Sequence, residues 1–259
     1  MRSAVPADDR GLLLGDGLFE TVLAEQGDLL WFDDHLARLQ AGCAALGLPS
    51  PDPAAARQAA LEALAAAGLA QGRAAVRLTW TAGSGGRGLD RPIPPQPRWL
   101  ITAAPAPRPT APVGLALVEV RRNEGSPASR HKTLAYLDNV LARREAQAKG
   151  GEEAVMLNNR GEAACAAAAN FFWRTAEGWR TPALDCGALA GLARARVLAL
   201  ARSAGVEILE VREGAEDLAR AEAAFISNSL IGVRAVDRLD GRPLAMDASL
   251  MARLDPLAA

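Results

Sequence analysis

The stretch HKTLAYLDNVLARREA, residues 131–146, contains one of the only two lysines in the chain. Arginine supplies all the other basic side chains apart from two histidines, so a simple surface charge at position 132 would be expected as arginine. An amine that attacks a carbonyl must first lose its proton, and a guanidinium stays protonated in proteins. A role in Schiff-base formation would therefore explain the lysine. On the residues alone, an ordinary lysine ahead of a helix remains the alternative.

The second lysine, Lys149, has a simpler interpretation. It follows Glu145 by four residues and precedes Gly150 and Gly151. This spacing is typical of a solvated ion pair at the end of a helix.

Composition limits the classes of function. The chain has 259 residues, of which 50% are apolar and 23% charged, enough for one large domain or two ordinary ones with a real core. The net charge of -1 gives no support to nucleic-acid or anionic-membrane binding. The longest uncharged runs are too short to cross a bilayer. Three scattered cysteines without CxxC spacing indicate neither a disulfide framework nor a metal site, which favours a cytoplasmic protein.

The order of predicted elements indicates two α+β domains. The first third alternates strands and helices, with a turn at Gln26–Asp28 and a glycine-rich loop after the strand AAVRLTWT. Residues 104–114, APAPRPTAPVG, hold four prolines and favour an extended connector. We therefore predict an N-terminal domain over 1–105, a linker over 106–113 and a C-terminal domain over 114–259 that carries Lys132.

The second part opens with the predicted strand LALVEV. A helix should follow Lys132 as far as about Lys149, with Leu134, Leu137, Leu141 and Ala148 roughly on one side. Residues 152–179 read as a meander of strands, GLARARVLALARSAG as a helix, and AAFISNSLIGVRAV as a strand with a polar break.

Five segments in this order resemble the class IV family of pyridoxal-phosphate-dependent aminotransferases. They are GDGLFETV, HLARL, HKTLAYLDNVLARREA, GEAACAAAANFFW and, more loosely, GALAGLARARVLALA. The family includes branched-chain and D-amino-acid aminotransferases and aminodeoxychorismate lyase. The resemblance implies fold type IV, similar to D-amino-acid aminotransferase, with a smaller N-terminal and a larger C-terminal domain. It also implies pyridoxal 5'-phosphate as cofactor, a small-molecule substrate and a homodimer.

The resemblance also implies roles for particular residues. Lys132 would form the Schiff base with the cofactor and then act as general acid and base. Arg38, in HLARL, matches the arginine that binds the cofactor phosphate, a contact that suits a guanidinium; an ordinary surface arginine is the alternative. Tyr136 would hydrogen-bond the ring oxygen of the cofactor; a half-buried core aromatic is the alternative.

Two further segments match the phosphate-binding loops of the family. Gly191, Leu192 and Ala193 open a helix whose backbone N–H groups would face the phosphate. Relatives often have threonine in place of Ala193, so a hydroxyl contact is missing here. Asn228 and Ser229 match the second loop, with turn formation as the alternative explanation.

Cys165 departs from the family pattern. It stands where relatives have a glutamate that pairs with the pyridine nitrogen and keeps it protonated. A thiol near its usual pKa of about 8.5 is a poorer partner. Glu162 lies three positions earlier, and on a strand this odd offset places it on the opposite face. A small buried cysteine without a chemical role is the alternative.

This departure bears on the activity. Transamination needs a good electron sink in both half-reactions, whereas formation of an aromatic product has a driving force of its own. The loop SGGRG, residues 84–88, resembles the lyase branch and would bring Arg87 to a substrate carboxylate; a solvated arginine on a flexible loop is the alternative. We therefore expect a lyase making p-aminobenzoate and pyruvate from 4-amino-4-deoxychorismate. An aminotransferase of D-amino or branched-chain amino acids, and a degenerate homologue without catalysis, are the alternatives.

Overall fold

The computed structural model describes residues 5–254 and 257. The chain divides into two compact units, the first formed by the chain up to Pro107 together with His131–Ala135, and the second by Arg108–Arg130 with the chain from Tyr136 onward. The first unit contains α1 (Arg10–Leu14), β1 (Gly17–Glu25), β2 (Asp28–Leu29), α2 (Phe32–Leu46), α3 (Pro53–Ala66), β3 (Arg73–Thr81) and β4 (Arg98–Pro105).

The first unit is built on a four-stranded antiparallel sheet in the order β2-β1-β3-β4. Helices α2 and α3 supply apolar side chains to its core, which includes Leu18, Val22, Leu36, Leu39, Leu64 and Val76. Helix α2 has aspartates in its first turn, and Gly47 is its C-cap. Gly47 adopts a φ of 64°, a left-handed conformation that favours glycine at a helix C-terminus. Leu18 and Val22 of β1 face this core, whereas Phe19 and Leu23 point to the opposite side of the sheet, where they are buried as well.

The second unit contains more strands. Its elements are β5 (Val113–Leu117), α4 (Pro127–Arg130), α5 (Leu137–Ala148), β6 (Glu153–Leu157), β7 (Ala163–Ala166), β8 (Asn170–Thr175), β9 (Gly178–Pro182), a 3₁₀ helix (Leu184–Cys186), α6 (Leu192–Ser203), β10 (Ile208–Val211), α7 (Ala215–Ala219), β11 (Ala223–Asn228), β12 (Gly232–Leu239), β13 (Arg242–Pro243) and α8 (Ala248–Leu254).

These strands form a nine-stranded mixed sheet in the order β10-β9-β8-β11-β12-β5-β6-β7, with β13 paired to β12. The predicted meander corresponds to β6–β9, and the predicted polar break separates β11 from β12. The core around this sheet includes Leu115, Val155, Phe171, Trp173, Ile226 and Val236. Together the two units give the α+β fold that the sequence predicts.

The buried face of α5 differs from the prediction. Leu137 is 67% exposed and Leu141 39%, whereas Asn139, Ala142 and Ala146 face the core. Asn139 is drawn inward because its Nδ2 donates to Ala167 O at 2.7 Å and its Oδ1 accepts from Arg122. Polar contacts at one position thus set the rotation of the helix.

Strand β5 ends earlier than predicted, at Leu117. The N–H groups of Glu119 and Val120 donate to the Glu145 carboxylate at 2.7 and 3.3 Å. Glu145 also pairs with Lys149 at 2.8 Å, which confirms the ion pair expected at this helix end. A side chain of α5 therefore replaces the strand partner.

The segment His131–Ala135 groups with the first unit, whereas the sequence had assigned Lys132 to the C-terminal domain. The cause is backbone pairing beside β1: Phe19 N donates to Lys132 O at 2.9 Å, and Leu134 N donates to Gly17 O at 3.0 Å. Within the described residues, no helix is both long and apolar enough to cross a membrane.

Candidate active site

Lys132 lies beside β1 with its side chain half-buried. Its Nζ is 4.2 Å from the centroid of the Phe19 ring, a distance typical of a cation–π contact. The Lys132 carbonyl accepts from Phe19 N and Leu134 N donates to Gly17 O, so backbone pairing fixes this segment beside β1. The amine is thus held at the surface of the sheet rather than in bulk water.

Arg77 contacts the same ring and was not singled out from the sequence. Its guanidinium carbon is 3.7 Å from the Phe19 centroid. Phe19 pairs with Thr79, and Thr21 with Arg77, so Phe19 and Arg77 lie on one face of the sheet. In the sequence, Arg77 is a charged residue inside an otherwise mostly apolar strand. By itself, this pattern indicates only a solvated position.

Arg38 is part of a buried ion pair with Glu20. Its Nε and Nη2 each donate to a Glu20 oxygen at 2.7 Å, and His35 Nδ1 donates to the same carboxylate at 2.7 Å. Burial would raise the pKa of Glu20, but the hydrogen bonds from His35 and Arg38 outweigh it and lower the pKa to about 2. Since neighbouring side chains of a strand point to opposite faces, Glu20 faces α2 while Phe19 faces Lys132. Arg38 is thus fixed by Glu20, and its contact with a phosphate stays a prediction.

The glycine-rich loop is fixed by a buried arginine, Arg10. Its Nη1 donates to Asp90 O at 2.8 Å and its Nη2 to Leu89 O at 2.9 Å. At Gly86, with a φ of 82°, an added Cβ would collide with Asp90 O. Arg87 is exposed at the tip of this loop. The loop is therefore an ordered platform for Arg87, whose contact with a substrate stays a prediction.

An open groove of about 530 Å³ adjoins this loop. Asp16 anchors it, because Arg10 Nε donates to Asp16 Oδ2 at 2.9 Å and Arg91 contacts both oxygens of the same carboxylate. Burial would raise the pKa of Asp16, but its bonds with Arg91 and Arg10 lower it. The acid is thus charged and links Arg10, which binds carbonyls of the loop, to Arg91.

In the second unit, the predicted phosphate segments converge on Asn170. Gly191 is the N-cap of α6, and Asn170 Oδ1 occupies the space that a Cβ at Gly191 would need. Leu192 and Ala193 form the first turn of α6, where backbone N–H groups lack intrahelical partners. Asn170 pairs across the sheet with Ser227.

The end of β11 completes this region. The Ser227 hydroxyl is buried and has no hydrogen-bond partner among the described residues. The next residue, Asn228, accepts from the N–H groups of Leu230 and Ile231 at 2.9 and 3.0 Å, and its Nδ2 donates to Ala168 O. The Asn228 side chain thus forms the turn after β11, while Ser229 lies half-buried in that turn. A helix N-terminus and an unpaired buried hydroxyl are features that fit an anion such as a phosphate.

Tyr136 is the N-cap residue of α5 and is half-buried. Cys165 lies in β7 opposite Met156 and is buried. Burial raises the pKa of the Cys165 thiol, and the opposing effect of Arg122 does not reverse this rise. The surroundings of Cys165 therefore favour the neutral thiol. The roles of Tyr136 and Cys165 towards a cofactor stay predictions.

The Glu162 carboxylate is already bound to other residues of its own loop. It pairs with Arg160 at 2.7 Å and accepts from Asn158 Nδ2 at 2.7 Å. The hydrogen bond from Arg160 has the largest effect on the pKa of Glu162. Although burial acts in the opposite direction, the pKa is lowered to about 2. It is therefore not available to replace a carboxylate at position 165.

Comparison with known proteins identifies the family. The model of the class IV amino-transferase family matches residues 17–239, and the chain belongs to this family. An aminodeoxychorismate lyase of Vibrio harveyi is 28% identical over 237 residues, which cover 90% of this chain and 86% of the relative. A Methanocaldococcus jannaschii protein, named only provisionally as a branched-chain-amino-acid aminotransferase, is 31% identical over 90% of this chain and 82% of its own.

Solved structures agree with the fold. A branched-chain aminotransferase of Thermoproteus uzoniensis, solved with norvaline, superposes with a TM-score of 0.90 at 25% identity, covering 98% of this chain and 88% of the other. The chain therefore has the fold of type IV enzymes, and enzymes of this family use pyridoxal phosphate.

Proposed function

We propose that the protein is a pyridoxal-phosphate-dependent lyase that converts 4-amino-4-deoxychorismate into p-aminobenzoate and pyruvate. The observation that carries the enzymatic part is the position of the Lys132 amine over the ring of Phe19, a ring that Arg77 also contacts. The lyase of Vibrio harveyi supports the choice of reaction. The buried neutral thiol of Cys165 supports this reaction as well, because a reaction that forms an aromatic product needs less electron withdrawal by the cofactor.

Lys132 would hold the cofactor covalently through Nζ. When bound, pyridoxal phosphate withdraws electrons from the substrate carbon that carries the amine. Lys132 would then accept the proton from that ring carbon and return a proton to the departing group. The C–O bond to the enolpyruvyl side chain breaks, the ring becomes aromatic and pyruvate leaves. The reaction consumes neither an oxidant nor a keto acid.

The other residues would bind and orient. The family resemblance assigns phosphate contacts to Arg38 in the first unit and, in the second unit, to the first turn of α6 and the turn at Asn228 and Ser229. Arg87, on the loop fixed by Arg10, would bind a substrate carboxylate.

The test uses purified protein supplied with pyridoxal phosphate and 4-amino-4-deoxychorismate. We expect release of p-aminobenzoate and pyruvate in equal amounts, without added keto acid. Lys132→Ala should abolish release. Lys149→Ala is the matched control, because it removes the only other lysine and leaves the site untouched.

The second candidate function is an aminotransferase acting on branched-chain or D-amino acids. The similarity to the Methanocaldococcus jannaschii protein favours it. Amino transfer from a panel of D- and L-amino acids that requires a keto acid, with no pyruvate released from 4-amino-4-deoxychorismate, would select this function. Failure to retain the cofactor would select the degenerate homologue.

A further inference from the structure

A buried guanidinium without a carboxylate partner lies close to Cys165. Arg122 is 6% exposed. Its Nε donates to Gly187 O at 3.1 Å, its Nη1 to Asn139 Oδ1 at 3.2 Å and its Nη2 to Ser129 O at 2.7 Å. These acceptors are all neutral, and within residues 5–254 no carboxylate forms an ion pair with Arg122. A buried cation whose charge is left uncompensated is unusual because of its desolvation cost.

Backbone and side-chain contacts tie Arg122 to the strand that carries Cys165. Arg122 N donates to Leu157 O at 2.8 Å, at the end of β6, and β6 pairs with β7 so that Met156 faces Cys165. Asn139, which accepts from Arg122, also donates to Ala167 O, two residues after Cys165. These contacts hold Arg122 beside the β6–β7 pair that carries Cys165, close enough for its charge to influence the thiol.

The other charged groups nearby do not cancel this cation. Glu153 is buried, but its carboxylate pairs with Arg143 and accepts from the N–H groups of Ala154 and Ala167 at 2.9 and 3.2 Å. Glu153 therefore has its own counter-charge, whereas none of the carboxylates in the described part of the chain pairs with Arg122. With a neutral thiol at Cys165, the net charge of this cluster is positive.

We propose that Arg122 and Cys165 together hold the pyridine nitrogen of the bound cofactor in its neutral form. This inference rests on the proposed function and on the family resemblance, which implies that the nitrogen would lie at Cys165. A neutral thiol can donate its S–H to the lone pair of a neutral pyridine nitrogen but cannot balance a pyridinium charge. The nearby guanidinium disfavours a second positive charge. Arg122 is thus a positioning residue that weakens the cofactor as an electron sink and so favours the aromatising lyase reaction over amino transfer.

The experiment is ¹⁵N NMR of the full-length protein reconstituted with cofactor labelled at the pyridine nitrogen. We expect the wild-type signal at the position of a neutral pyridine at pH 7. Cys165→Ser, which keeps a neutral donor, should leave it there. Cys165→Glu should raise the ratio of protonated to neutral nitrogen at least tenfold, and Arg122→Gln should move the titration of the nitrogen to higher pH.

The possible outcomes distinguish a failure of this inference from a failure of the proposed function. A wild-type signal at the pyridinium position would overturn the inference while leaving the proposed function intact. An unchanged signal in a folded Cys165→Glu protein would also overturn it. Absence of any signal from bound cofactor would remove the proposed function and this inference with it. The wild-type spectrum is decisive even if the Arg122 variant does not fold.

Discussion

Replacing Glu20 by glutamine should destabilise the first unit and change its response to acid. The substitution keeps the size of the side chain but removes the charge that Arg38 and His35 bind. Breaking a buried pair by removing one partner typically costs about 3–5 kcal/mol. Because the Arg38 side chain is 16% exposed, we expect the lower end of this range, about 3 kcal/mol at pH 7.

The pH dependence follows from the lowered pKa of Glu20. The pKa falls from 4.5 to about 2, so its contribution to folding stability is complete well above pH 4.5 and is lost as the pH falls towards 2. By pH 3 the wild-type protein should have lost about 2 kcal/mol of this contribution. Glu20→Gln has nothing to protonate and should lose correspondingly less over the same interval.

The assay is urea unfolding followed by far-UV circular dichroism at pH 7, 5, 4 and 3. The free energies of unfolding of wild-type and variant protein should converge as the pH falls. Glu62→Gln, on the exposed surface of α3, is the matched control and should follow the wild-type curve. A difference between wild type and Glu20→Gln that stays constant from pH 7 to pH 3 would refute the reasoning.

Two further predictions concern the glycine-rich loop. Gly86→Ala should lower the free energy of unfolding by about 1–3 kcal/mol, because a Cβ at a φ of 82° would collide with Asp90 O. Gly88→Ala is the control and should cost only about 1 kcal/mol, because its φ is 62° but the space around it is open. Equal melting temperatures of the two variants would contradict this prediction. Arg10→Met removes the donors that hold the loop, and we expect tryptic cleavage after Arg87 to become at least several times faster than in the wild type. An unchanged rate of cleavage at this bond would show that Arg10 does not order the loop.

Local signals in the sequence predicted much of the fold. Aspartates at the start of α2 and glycine at its end set its limits, and the turn at Gln26–Asp28 and the meander β6–β9 follow from turn residues between apolar runs. These features depend on neighbours in the chain. A single sequence is therefore enough to find them.

Features that depend on distant partners were not predictable. The burial of Asn139 on α5 results from Ala167 and Arg122, which are remote in sequence. Similarly, Glu20 is recognisable as part of a buried ion pair only once α2 is packed on β1.

The candidate site shows the same division. The resemblance singled out Lys132 and Arg38, whereas Arg77 and Arg122 were missed because nothing in their immediate sequence distinguishes them from solvated arginines. Their importance comes from what they face, the ring of Phe19 in one case and the surroundings of Cys165 in the other.

The central claim is that Lys132 binds the cofactor covalently, and borohydride reduction followed by peptide mass spectrometry tests it most directly. With only two lysines in the chain, the modified residue can be assigned without ambiguity. We expect the reduced cofactor on the peptide that contains Lys132, with Lys149 unmodified and the modification lost in Lys132→Ala. Modification of Lys149 alone, or of neither lysine at saturating cofactor, would contradict the account.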